Sequence, residues 1–140
     1  MTFPLAGLLR VRDAQEKMAA EQLSRTTSAR RQAEVAEQGA VVSLSEISAQ
    51  VGDAHTLLAM AAARAAGRSA LSDLQTLTEL RRSEEETAKA SHVEARRELR
   101  GLERLEGAHR ADTVKAERHA EQTALDEIAV VRSLREERSA

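Results

Sequence analysis

The 140 residues include 27 Ala, 18 Glu, 18 Arg, 16 Leu and 3 Lys, with one Pro, six Gly, one Phe, no Trp, no Tyr and no Cys. This composition signals long helices or coiled coil and disfavours strands, which draw on aromatic and β-branched residues. Lys and Arg number 21 against 23 Asp and Glu, a formal charge of −2 that gives no support to disorder driven by self-repulsion.

Pro4 suits a first helical turn because its missing N–H would be unpaired there, so a first helix is expected over about 4–50. Steps of three and four from Leu5 reach Leu9, Arg12, Glu16, Ala19, Leu23, Thr26, Ala29, Ala33, Ala36, Ala40, Leu44, Ile47 and Val51, an imperfect heptad seam with an alanine middle. A partner helix has to approach closely along it and gains little apolar area per contact. Gly52 and Gly67 bracket the Ala-rich stretch between them, and a short helical or turn connector is expected over about 51–68.

A second helix is expected over about 69–137. Its seam runs Ala88, His92, Ala95, Leu99, Leu102, Glu106, His109, Thr113, Ala116, Ala120, Ala124, Ile128, Val131 and Leu134. At about 1.5 Å per residue the two helices reach ~70 and ~100 Å. The fold class expected is all-α, a single antiparallel two-helix coiled-coil hairpin that buries its own seam. A bent rod dimerising in trans is the competing geometry. On either geometry Asp at Leu9 or Ile128 is expected to lower the melting temperature. Exposed pairs such as Glu21 with Arg25, Glu85 with Lys89 and Glu106 with Arg110 support helices and specify no chemistry.

Motifs for catalysis are missing. The sequence contains no Gly-x-x-x-x-Gly-Lys, Gly-x-Gly-x-x-Gly or Gly-x-Ser-x-Gly, so no nucleotide hydrolysis or acyl transfer is expected, and no cofactor. The histidines 55, 92, 109 and 119 have no metal-ligand spacing; His92 and His109 fall on the seam and the others on the surface. Glu84, Glu85 and Glu86 read as a solvated acidic face. Lack of Cys excludes disulfides and thiolate chemistry and fits a reducing cytosol. The longest apolar run, Leu57 to Ala63, is too short for a membrane span of about 20 residues, and no signal peptide is expected. Without a concentrated basic face or stacking aromatics, nucleic acid is not an expected partner. The stretch Leu57 to Ala66 lacks the basic face and aromatic anchors of a membrane-surface helix and reads as a partner-binding tip or connector.

Phe3-Pro-Leu5-Ala-Gly-Leu8-Leu9-Arg10-Val-Arg12-Asp-Ala-Gln-Glu16 resembles the opening of the FliJ family of flagellar export proteins. Arg118-His-Ala-Glu121-Gln122-Thr-Ala-Leu125-Asp126-Glu127-Ile128-Ala129-Val-Val-Arg132 is similar to that family's closing signature. The likeness covers both ends and the total length. It implies a two-helix coiled coil like the stalk of the rotary ATPase γ subunit, acting in the type III export apparatus as a coupling element and not as a catalyst. Its implied partners are a hexameric export ATPase (FliI-like), an export gate protein (FlhA-like) and export chaperones. Its implied place is the cytoplasm, peripherally at the inner face of the cell membrane at the flagellar base.

On that resemblance Leu5, Leu8, Leu9, Leu125, Ile128 and Val131 close the termini-bearing end, and Arg10, Arg12, Asp126, Glu127 and Arg132 offer a polar face to the ATPase. Leu57, Leu58, Met60, Leu71 and Leu74 form a gate-facing surface, although no family motif matches there and aromatics are lacking near the tip. Ordinary seam packing with solvated charges explains the same residues without a partner. The alternative function is a structural coiled-coil scaffold, dimerising through its seam, with no export role.

Overall fold

In the computed structural model, which describes residues 2–47 and 53–140, two helices account for nearly everything: α1, Ala6–Ile47, and α2, Ala54–Ser139. They pack against each other as an all-α helical hairpin, and no strand occurs among the described residues. The chain begins with a turn in which the Ala6 N–H donates to the Phe3 carbonyl (3.1 Å), and Pro4 occupies the second position that its fixed φ favours. Leu5 then accepts from Leu9 N–H, so α1 starts just after the proline.

The start of α2 differs from the expected connector. Asp53 caps it: Asp53 Oδ1 accepts from the backbone N–H of Thr56 (2.8 Å) and from its hydroxyl (2.6 Å), and the Asp53 carbonyl accepts from Leu57 N–H. A carboxylate satisfying orphan N–H groups is a strong helix start, stronger than the stop implied by a glycine about four turns later. Gly67 is therefore interior to α2, and most residues assigned to the connector belong to that helix. Val51 and Gly52 lie outside the described residues.

The contacts divide the chain into two units, Ala14–Arg96 and Met1–Asp13 with Arg97–Ala140. In the first, the interface is thin and made of small residues: Ala33, Ala88, Thr26 and Thr78 are buried, Thr78 to 1 % exposure. The threonine hydroxyls bond to carbonyls of their own helix, Thr26 to Gln22 and Leu23 and Thr78 to Leu74, so each is satisfied locally while occupying a seam position. One expected seam position shifts: Ala36 is exposed and Glu37 is half-buried in its place. The expected register resumes at Ala40, Leu44 and Ile47, which are half-buried.

In the second unit Leu99 and Leu102 are buried, and Leu9 is half-buried. Phe3 lies against His109, ring centroids 5.5 Å apart and tilted by 56°. Leu5 is exposed, and Phe3 and Ala6 are the half-buried residues on either side of it. The pairs Phe3–His109 and Arg12–Glu98 run in opposite directions along the two helices, and α2 continues past the last of them.

Candidate functional site

Seam spacing can be carried backward from Ala88 in steps of three and four, through Glu85, Arg81, Thr78, Leu74, Leu71, Gly67, Arg64 and Met60. Every one of these is buried or half-buried. Glu85, expected on a solvated face, thus sits in the interface at 6 % exposure. It accepts hydrogen bonds from Thr27 Oγ1 (3.1 Å) and Arg30 Nε, with Lys89 Nζ at 3.7 Å. Arg30 also holds Glu34 (2.6 Å), and Glu34 in turn meets Arg82 (3.2 Å).

Burial pushes the Glu85 carboxyl up, but the hydrogen bonds from Thr27 and Arg30 and the charges of Arg30 and Lys89 outweigh it, leaving it below the ordinary glutamate range. Glu34 is lowered too, by Arg30 first and then Arg82, against its partial burial. A buried charge tied to an opposite charge across the interface acts on register and pairing. Nothing about it presents a reacting atom. Farther along, Glu16 Oε1 and His92 Nε2 are 3.0 Å apart, both half-buried, while His55 and His119 are exposed.

Of the residues expected at the gate end, Met60, Leu71 and Leu74 turn inward and are half-buried, so they belong to the packing. Leu57 and Leu58 are exposed, at 53 % and 72 %. The five do not form one surface. Arg64 and Arg68 line a shallow recess with Val41, Leu44, Ser45 and Leu71, and Arg64 Nε is buried there without a hydrogen-bond partner.

The residues expected at the ATPase end separate into two groups. Leu5 and Leu8 are about 40 % exposed and Arg10 is exposed. Arg12 is half-buried and forms an ion pair with Glu98 at 2.5 Å, so its guanidinium is engaged within the chain. Leu125, Asp126, Glu127, Ile128 and Arg132 lie farther along α2, beyond the position reached by Phe3, and are not brought against Leu5, Leu8 or Leu9. Every residue from Val114 to Ala140 is exposed, with Leu125 at 61 %, Ile128 at 58 % and Val131 at 51 %. The seam expected through Ala116, Ala120, Ala124, Ile128, Val131 and Leu134 therefore has no cover from α1, because α1 begins only at Ala6.

Side-chain hydrogen bonds in this stretch stay inside α2, as from Gln122 Nε2 to Asp126 (2.9 Å) and from Thr123 to the His119 carbonyl. Glu127, Ile128, Val131, Arg132 and Arg135 line a shallow depression of about 350 Å³, which places aliphatic side chains between an acid and two arginines. Large apolar side chains left in water on a formed helix are the mark of a docking face. No group of three or more His, Cys, Asp or Glu side chains that could hold a metal occurs among the described residues, and no helix there is long and apolar enough to cross a membrane. No protein-family model, curated protein or solved structure matches the chain.

Proposed function

We propose that this chain is a non-catalytic coiled-coil stalk or adaptor of the flagellar type III protein export apparatus. It binds and promotes assembly of the hexameric export ATPase and links that ring to the export gate and export chaperones, at the cytoplasmic face of the cell membrane. The observation that carries the reading is the uncovered Leu125–Arg132 stretch. The residues that resemble a family signature are the ones left exposed, on a helix already formed. A preformed helix with an apolar stripe docks into a groove or ring without the entropy cost of ordering it.

Leu125, Ile128 and Val131 supply apolar anchors in this reading, and Glu127, Arg132 and Arg135 set orientation. Arg12 takes no direct part, since Glu98 holds it. The scaffold alternative draws less support. A dimer along the whole seam is closed off where α1 covers α2, since Leu99 and Leu102 are already buried there. The test is ATP hydrolysis by the purified export ATPase with and without this protein, with sedimentation to follow ring formation. Stimulation and co-assembly that disappear when residues 121–140 are removed support the proposal. An ATPase that neither binds the chain nor changes its rate refutes it.

A further inference from the structure

The face of α2 beyond Val114 carries a charge order as well as an apolar patch. In steps of four and three it reads Glu117, Glu121, Ala124, Ile128, Val131, Arg135 and Arg138: two acids, three apolar residues, two arginines. Ile128, Val131 and Arg135 border the same surface depression, so they share one face of the helix. Glu136 and Glu137 lie off this stripe, one and two residues past Arg135, at about 100° of rotation per residue.

We propose that this face is an isologous interface, on which a second copy of the same chain docks antiparallel about a two-fold axis between Ile128 and Val131. Reversal lays Ile128 against the second copy's Val131, Ala124 against its Arg135 and Glu121 against its Arg138, each pair occurring twice. A parallel arrangement stacks Glu121 on Glu121 and Arg138 on Arg138, which like charges oppose. The stripe is thus complementary to its own reverse. The Arg132 stem lies beside the opposing Leu125 and covers apolar surface with its guanidinium in water. Because α2 is already helical here, association orders only side chains. The paired length is short, so the interface is small and the dimer is weak, forming in the upper micromolar range and weakening with salt. The inference does not rest on the export reading, since it uses only this chain's own face.

The experiment is sedimentation of the full chain from ~10 μM to ~1 mM at low salt, the range where a weak dimer of this size dissociates. A monomer–dimer equilibrium is expected. Glu121→Arg or Arg138→Glu alone weakens it about tenfold, through two repelling pairs per dimer, and the double variant E121R/R138E restores it. The chain has no cysteine, so Ile128→Cys and Val131→Cys variants mixed under oxidation report geometry directly. Antiparallel pairing gives the mixed 128–131 disulfide in excess over either self-linked product. All four positions are exposed, so circular dichroism stays at wild type. A monomer at every concentration overturns the proposal. So does a dimer that survives Ile128→Asp, or one whose disulfides join 128 to 128.

Discussion

Gly67 of α2 lies directly beneath Leu44 of α1: a Cβ built on Gly67 meets Leu44 Cδ1 at 2.9 Å. The position is a hole for a leucine knob and not the end of a helix. Gly101 and Gly107 have nothing within 4 Å of a built Cβ. Ala in place of an exposed helical Gly gains about 0.8–1.0 kcal/mol of helix propensity. Gly101→Ala is therefore expected to raise the melting temperature by a few degrees. Gly67→Ala gains the same propensity but shifts the flexible end of Leu44, costing about 0.5–1.5 kcal/mol, so its net effect is near zero. Gly67→Val, with branches at the contact, lowers the melting temperature. Thermal melts of the three variants check the ranking.

Glu85 and Arg30 tie α2 to α1 through a buried carboxylate whose pKa lies below its ordinary value of 4.5, burial being outweighed by hydrogen bonds and cations. A group lowered in the folded state binds more protons when unfolded. Its stabilisation is complete above the ordinary glutamate range and is lost as pH falls through the lower folded value. The melting temperature is expected to drop on acidification below about pH 4.5, and Glu85→Gln is expected to be less stable at pH 7 with a shallower acid decline. Melts from pH 7 to pH 3 read both effects. An identical acid slope in the variant removes Glu85 from the account.

The hairpin was legible because a 3.5-residue period persists through both halves, and His92, Leu99, Leu102 and His109 fall where that period puts them. Glu85 was hidden for two reasons. A stripe that begins at Ala88 omits Glu85, and a Glu-Glu-Glu run reads as solvated when only its middle member is buried. The start of α2 is set by Asp53, with Thr56 three residues on, and this start signal outweighs Gly67 as a breaker. Where α1 meets α2 depends on the register of packing, which no local spacing encodes. Ile128 therefore keeps seam spacing although α1 does not reach it.

Asp53 holds the first turn of α2 through the Thr56 amide and hydroxyl. Its carboxyl is lowered, first by the Thr56 hydroxyl and then by the Thr56 amide, as expected of an ionised N-cap. Asp53→Ala should release the first-turn amides, with faster hydrogen exchange at Thr56 and Leu57 and unchanged exchange around Thr78. Asp53→Asn keeps an acceptor oxygen and should retain most of the protection. Uniform loss across the helix would mean that Asp53 does more than cap.

Packing and docking separate cleanly between two aliphatic residues of α2. Leu102 is 9 % exposed and Ile128 is 58 % exposed. Truncating a buried leucine typically costs 2–5 kcal/mol, and a site with cover from a single neighbouring helix falls at the low end, so Leu102→Ala or Leu99→Ala is expected to cost about 2 kcal/mol. Substitution of an exposed residue without such contacts stays within about 0.5 kcal/mol. Ile128→Asp should therefore leave the melt almost unchanged, whereas Leu9→Asp, which drives a charge into a half-buried contact, should lower it by several degrees. The expected split is a melting temperature that responds to Leu9, Leu99 and Leu102 and an association signal that responds to Ile128. Parallel thermal melts and sedimentation runs on the same variants measure both. A cooperative melt that falls with Ile128→Asp would show that some part of the folded chain covers that face.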